Sequence, residues 1–241
     1  MPATQTTSAE KHQFMQLLTT TYDSETRIAT LKATYWLLTI SIAGAFVGGS
    51  FGSSSEVLAE FFTSTVGIVV GIVILNAIPA IALAAVRSPT LGIAVLALDG
   101  FLSGIVMSPL LYICRRQAPE LIWISLGVTA SIFVSITAYI FVTRRTFSAP
   151  KAIVLGLFVS LAAAVLLNSR VESGGFGVVI AVAISVFGVI LLVSNTSRIL
   201  RNPVEVGAVP GALMLFAGIF NVFVGVLRVL LWIISLGGRR R

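Results

Sequence analysis

Long apolar stretches separated by short polar breaks run through almost the whole of this sequence. A helix needs about 20 mostly apolar residues to cross the hydrocarbon core of a bilayer. Seven stretches meet or approach that length, although the fifth is short for a complete span. They cover residues 35–49, 65–86, 91–113, 121–142, 152–167, 176–193 and 211–236. The first stretch continues a helix that we expect to begin near Ser24.

The composition indicates that a bilayer, rather than water, solvates most of the chain. Hydrophobic residues make up 57% of the 241 residues and charged residues only 10%, whereas a soluble domain carries about 25% charged residues. A water-soluble protein of this size could not bury so much apolar surface, because its surface is too large relative to its core. The sequence therefore predicts an all-α polytopic membrane protein whose first partner is the lipid bilayer.

The polar breaks predict how the helices are joined. Proline or glycine stands in each of the breaks at 88–89, 118–119, 149–150, 173–175 and 202–203. Short connections of this kind join neighbouring antiparallel helices. We therefore expect a seven-transmembrane helix bundle over residues 28–236, preceded by a flexible cytoplasmic segment (1–27) and followed by a basic tail (237–241).

Two pairs of glycines within the apolar stretches have a spacing that favours close helix packing. Gly67 and Gly71 form one pair, and Gly100 and Gly104 form the other. Small residues four positions apart leave a strip along which two helix backbones can meet in lipid. The pairs either mark helix–helix contacts or occur by chance, since glycine is frequent in these stretches.

The basic residues predict the orientation of the chain. The net charge is +7, but no clustered patch of the kind that binds nucleic acid is present, so we expect no nucleic-acid partner. Loops on the cytoplasmic side of a membrane protein are enriched in Lys and Arg. With a cytoplasmic N-terminus, the inner segments hold nine basic residues and the outer loops hold three. This excess favours a cytoplasmic N-terminus in the bacterial inner membrane.

The arginine-rich end of the chain conflicts with the simplest form of this topology. Seven complete spans would place residues 239–241, all arginine, outside the cytoplasm, where a positive cluster is disfavoured. Two explanations stay open. Either the first helices dominate the orientation, or one late segment enters the membrane and returns.

The sequence lacks the residue sets that intramembrane catalysis requires. A serine protease needs a histidine base within the bundle, but the only histidine, His12, precedes the spans. An aspartyl protease needs two embedded aspartates, and of Asp23 and Asp99 only the second lies in a span. A single cysteine, Cys114, excludes a multi-cysteine metal site. We expect no enzymatic activity, no catalytic residue, no metal site and no cofactor.

Asp99 is the acidic residue that falls in the middle of a predicted span. An ionised carboxylate in hydrocarbon is costly, and it requires a cation, a water-filled cavity or a proton. Asp99 is therefore either a cation or proton site, or an uncharged acid near a kink at Gly100. A water-filled cavity around Asp99 would favour the ion site, and tight apolar packing would argue against it.

Three further polar residues lie within the spans. Asn76, with Pro79 three residues later, either marks a broken helix that lines a cavity or donates a hydrogen bond to a neighbouring helix, and Asn221 has the same two interpretations. Arg228 lies late in the last stretch, where its long side chain can reach the membrane interface. We favour that interpretation over an ion pair between Arg228 and Asp99.

Four segments, in this order along the chain, resemble the Bax inhibitor-1 family and most closely its bacterial YccA branch. The resemblance covers residues 28–235. The segments are 30–39 (TLKATYWLLT), 100–112 (GFLSGIVMSPLLY), 194–200 (SNTSRIL) and 212–230 (ALMLFAGIFNVFVGVLRVL). The resemblance implies a seven-helix bundle.

The resemblance implies one of two functions. Some members of the family are pH-sensitive calcium leak pathways, gated by a pair of aspartates in the last two helices. The YccA branch instead binds and restrains the FtsH membrane protease with its partners HflK and HflC. In this sequence the two aspartate positions hold Asn195 and Gly218, neither of which titrates. The resemblance therefore favours modulation of FtsH, in membrane protein quality control, with a cation leak as the alternative.

Overall fold

A computed structural model describes residues 8–85, 89–143, 145–149, 151–171 and 174–238. Within these ranges the chain forms ten helices and no strands. The helices are α1 (Ser8–Gly52), α2 (Glu56–Thr63), α3 (Thr65–Ala85), α4 (Pro89–Val106), α5 (Ser108–Gln117), α6 (Glu120–Thr143), α7 (Lys151–Val171), α8 (Gly174–Arg201), α9 (Pro203–Val206) and α10 (Ala208–Gly238). The predicted all-α fold is confirmed.

Four helices of the described ranges are long and apolar enough to cross a bilayer unaided, namely 24–52, 120–143, 175–201 and 208–236. Two bent pairs, α2 with α3 and α4 with α5, raise the number to six if each pair counts as one span. The apolar part of α7 covers only 153–166, which is short for the hydrocarbon core. Seven spans therefore remain a prediction.

The first helix is longer than the sequence predicts. Its described part begins at Ser8 rather than near Ser24, so residues 8–27 of the expected flexible segment are helical. The candidate membrane span within it starts at Ser24. At 1.5 Å per residue the preceding part of α1 adds about 24 Å of helix. Residues 1–7 and 239–241, which include most of the expected basic tail, lie outside the described residues.

A sharp bend separates α2 from α3 and is not predicted by the sequence. The axes of the two helices differ by 91°, and Ser64 between them has an extended backbone. Its hydroxyl accepts a hydrogen bond from the Gly67 N–H at 3.0 Å and so caps α3. A β-carbon at Gly67 would collide with the Phe61 carbonyl, so the missing side chain permits the bend.

The third predicted span, 91–113, is broken rather than continuous. The axes of α4 and α5 differ by 57° at Met107. Pro109 lies in the first turn of α5 and has no N–H to donate to the carbonyl one turn earlier, so the helix cannot continue unchanged. The signal for the break, Ser108-Pro109, is therefore present in the sequence.

Hydrogen bonds between distant segments sort the connections onto two opposite ends of the bundle. At one end Arg27 donates to the Arg201 carbonyl at 2.9 Å, and the N–H of Phe147 donates to the Ser197 hydroxyl at 3.0 Å. At the other end Arg115 donates to the Ser54 hydroxyl at 2.9 Å. The segments expected on the inner side thus share one end, and those joined by Arg115 share the other.

Close packing of α1 on α4 and of α8 on α10 forms the framework of the bundle. Gly100 and Gly104 of α4 face α1, where a β-carbon would collide with the carbonyls of Ser41 and Ala45. From the opposite side, a β-carbon at Gly48 would collide with the Phe101 carbonyl. The predicted contact at Gly100 and Gly104 is confirmed. Helix α10 also contacts α1, α3, α4, α6 and α9 and lies at the centre.

We predict that Gly100→Ala destabilises the protein, because the added methyl group must push α1 and α4 apart. Overpacking of this kind costs about 1–3 kcal/mol, which thermal unfolding in detergent would detect. Gly127→Ala is the matched control, since nothing lies within 4 Å of a β-carbon at that position of α6. Equal stabilities of the two variants would contradict the proposed role of the contact.

Candidate functional site

A cavity of about 770 Å³ lies among α3, α4, α7, α8 and α10. Its volume is far larger than the roughly 30 Å³ that a water molecule occupies in the liquid. Its lining includes four of the polar residues that the sequence singles out, Asn76, Asp99, Asn195 and Asn221, together with Ser103, Ser148, Ser194 and Arg198. We refer to this space as the Asp99 cavity.

Asp99 is held on the wall of the cavity by the packing of its own helix. Only 4% of its surface is exposed, and its chain neighbour Gly100 is in direct contact with α1. Successive residues of a helix point about 100° apart, so a helix seated on α1 through Gly100 turns Asp99 to another side. Within the described residues, no hydrogen bond or ion pair reaches its carboxylate.

All three asparagines of the cavity donate their side-chain N–H to a helix carbonyl. Asn76 donates to Ile72 and Asn221 to Ala217, both at 2.7 Å, and Asn195 donates to Met214 at 3.0 Å. A backbone carbonyl can only accept, so the nitrogen of each amide must face the helix. The amide oxygen is then the acceptor left for the cavity.

Helix α3 adds a backbone acceptor to the same wall. Pro79 lies within α3 and has no N–H, so the carbonyl of Leu75 loses its usual partner one turn later. Leu75, Asn76 and Pro79 all line the Asp99 cavity. Helix α3 nevertheless runs unbroken from Thr65 to Ala85 through Pro79, so the expected break in the helix is wrong, although both residues line the cavity. Asn76 bonds its own helix rather than a neighbour, which differs from the alternative expectation as well.

A second cavity, of about 760 Å³, lies towards the end of the bundle that carries α5. Both helix breaks flank it, since Thr63, Gly67, Met107 and Pro109 are among its lining residues. Irregular backbone at membrane depth is tolerated where it faces protein or a water-filled space. The two cavities share one wall, formed by Ile72, Leu75, Phe158, Phe187, Phe220 and Asn221.

Arg228 lines this second cavity and is partly buried. It therefore lies on the other side of the shared wall from Asp99, and within the described residues no ion pair joins the two side chains. The expectation that Arg228 does not pair with Asp99 agrees with this arrangement. Its extension to the membrane interface stays a prediction.

The two positions equivalent to the aspartate pair of the leak pathways contribute to helix packing. The Asn195 amide joins α8 to the Met214 carbonyl of α10. A β-carbon at Gly218 would lie 2.8 Å from Cγ and 3.1 Å from the backbone nitrogen of Leu192. A carboxylate therefore does not fit at position 218 unless Leu192 moves.

Several residues that line the Asp99 cavity could not be identified as site residues from the sequence. Ser103 and Ser194 are small polar residues of a kind common in membrane helices, and Arg198 reads as an ordinary loop-side arginine. The Ser194 hydroxyl accepts a hydrogen bond from the Ala149 N–H at 3.2 Å, which ties the 145–149 segment across one end of the cavity. Only the tertiary arrangement assigns these residues to the site.

Comparison with known proteins gives one match. The family model described as inhibitor of apoptosis-promoting Bax1 matches residues 27–235. A search of curated proteins found no match. The matched range contains every residue of the two cavities.

We predict that Gly218→Ala lowers stability and that Leu192→Ala in the same chain removes part of this effect. Leu192→Ala alone creates a cavity and costs about 2–5 kcal/mol, but it also makes room for the new methyl group. The double variant should therefore lose about 0.5–3 kcal/mol less than the sum of the single losses. If the losses of unfolding free energy measured in detergent were additive, the two positions would not be in tight contact.

Proposed function

The chain belongs to the Bax inhibitor-1 family, and on that premise we propose that it provides a pathway for small cations through its helix bundle. The observation that carries the proposal is the buried Asp99 carboxylate on the wall of a cavity lined by amide and hydroxyl groups. An ionisable residue inside a membrane protein indicates a functional site by default, and ion pathways are among the sites that such residues mark. The cavity is the arrangement that favours an ion site over an inert buried acid.

The two cavities together offer a route along the bundle axis. They lie on opposite sides of one shared wall, in which Phe158, Phe187 and Phe220 are the aromatic members. A narrow apolar constriction excludes water and blocks ions until it widens. This wall is the proposed gate, and it replaces the aspartate pair that the chain lacks at Asn195 and Gly218.

The proposed orientation places the Asp99 cavity towards the cytoplasm of a bacterial inner membrane. The end of the bundle that contains Arg27, Arg145, Arg198 and Arg201 lies beside this cavity. Positive residues are retained on the cytoplasmic side. Cations would then enter the Asp99 cavity directly from the cytoplasmic face.

We predict that purified protein in liposomes passes monovalent cations and that Asp99→Asn reduces this flux. The neutral amide keeps the shape of the side chain but removes the charge that attracts the ion. A loss of about 1.4 kcal/mol would lower the flux roughly tenfold. Fluorescent-dye flux assays at matched protein density provide the measurement.

Phe187→Ala is the opposing variant for the same assay, because it thins the shared wall without altering Asp99. It should raise the flux. Liposomes that remain tight to cations with both the wild type and Phe187→Ala would refute the pathway.

Restraint of the FtsH protease, with HflK and HflC as further partners, is the second candidate function. Two observations support it. The bond from Asn195 to Met214 and the contact of Gly218 with Leu192 hold α8 against α10, where leak members carry their aspartate pair. The helix that precedes the first candidate span also offers a segment outside the bilayer for a protease to grip.

We predict, for this second function, that FtsH or HflK and HflC co-purify with the protein in mild detergent. Deletion of residues 2–20 should lengthen its cellular lifetime, because the segment that a protease engages is removed. Mass spectrometry of the purified complex and a pulse-chase experiment provide the measurements. A full-length protein that purifies without these proteins, together with a deletion variant that is degraded as fast as the full chain, would exclude this function.

A further inference from the structure

We infer that the Asp99 cavity holds a binding site for one monovalent alkali cation, with sodium as the ion to test. This inference rests on the proposed function in that both require a cation to enter the cavity. It goes further by stating the charge of the ion and the groups that bind it. The leak pathways that this chain resembles pass calcium, which carries twice that charge.

The chemistry of the lining selects the class of ion. The lining residues contain the following groups that can bind a metal: the Asp99 carboxylate, the three asparagine oxygens and hydroxyl groups. Within the described lining there is no cysteine or histidine. Oxygen ligands favour hard cations such as sodium, potassium, magnesium and calcium over zinc or copper.

The orientation of the asparagines makes the lining suitable for a cation rather than an anion. Their nitrogens are bound to the carbonyls of Ile72, Ala217 and Met214. Because these acceptors belong to the helix backbone, the amides cannot turn over without losing a hydrogen bond. In each amide the oxygen, which carries a partial negative charge, is therefore the acceptor left free for a ligand.

The charge balance selects a monovalent ion. Asp99 is the only acid among the described lining residues, so an ionised Asp99 offers one negative charge. A divalent cation would leave one positive charge without a compensating protein charge, which disfavours its binding inside the bundle. Arg198 in the lining and Arg228 beyond the shared wall are positively charged. Both therefore disfavour the second positive charge of a divalent cation.

The size of the cavity indicates how the ion is held. A space of about 770 Å³ has room for the ion together with several water molecules, each of which occupies roughly 30 Å³. The protein oxygens then supply part of the coordination shell and water supplies the rest. Binding should be weak enough for the ion to leave again, as conduction requires.

The test measures binding without any flux. The full-length protein in detergent is unfolded thermally in sodium chloride, in N-methylglucamine chloride and in calcium chloride, all at equal ionic strength. Sodium at about five times its Kd should raise Tm by about 2–4 °C over the organic cation. Calcium should give a smaller rise in Tm than sodium. A calcium shift equal to or larger than the sodium shift would overturn the proposal.

Two variants locate the site. Asp99→Asn should abolish the sodium-dependent rise in Tm, whatever its own basal Tm. Glu205→Gln removes one carboxylate from an exposed position on α9, outside the cavity, and should retain the rise. A sodium response that persists in Asp99→Asn, or that is lost equally in Glu205→Gln, would overturn the assignment.

A second measurement covers the case in which Asp99→Asn does not fold. Equilibrium dialysis of the wild type with radioactive sodium should give one bound ion per chain, and Asn221→Leu should weaken this binding several-fold while keeping the carboxylate. Absence of bound sodium would overturn the site. Sodium binding without liposome flux would overturn the pathway and leave the site standing, so the two proposals fail separately.

Discussion

The cost of placing a polar group in hydrocarbon governs this structure. Every backbone N–H and carbonyl of a span must find a partner within the protein, which is why the described chain is helical almost throughout. The same cost explains the side chains. The side-chain amides of Asn76 and Asn221 donate hydrogen bonds to carbonyls four residues earlier. The bends at Ser64 and Met107 occur beside a cavity. Asp99 is the exception, because its carboxyl group has no protein partner among the described residues.

Close packing and open space are two results of one arrangement. Glycines bring α1 onto α4 and α8 onto α10 until the backbones touch, so little open space remains within each pair. The space is left between the pairs, where α3 and α7 complete the wall. Pro79 weakens α3 on that wall, and the short apolar part of α7 limits how much of the wall it covers. The cavities therefore form where the packing is least regular.

Residue patterns that act locally were predictable from the sequence, and those that depend on the tertiary arrangement were not. Apolar length identified the long spans, and the spacing of Gly100 and Gly104 identified the contact with α1. By contrast, Gly188 and Gly225, which seat α8 against α10, are too far apart in sequence to form a recognisable pair. The break at Ser108-Pro109 could have been predicted from proline chemistry alone.

The candidate site shows the same division. Asp99, Asn76 and Asn221 were each conspicuous as polar residues in apolar surroundings, because the energetic cost is a property of the single residue. Asn195 was identified through the resemblance to the leak pathways. Their meeting in one cavity depends on how four helices pack, which no single segment determines. The direction of each amide depends further on one hydrogen bond to a particular carbonyl.

Asp99 and Gly100 illustrate how packing and function depend on each other in this bundle. A β-carbon at Gly100 would collide with the Ser41 carbonyl, so the backbone of α4 lies directly against α1. The direction of the adjacent Asp99 side chain therefore follows from this backbone contact, and among the described residues no hydrogen bond contributes to it. In the proposed cation site this arrangement is favourable, because a hydrogen-bond partner of the carboxylate would compete with the ion. The close contact between α1 and α4 thus links the stability of the pair to the placement of Asp99, which is the only acid among the described lining residues.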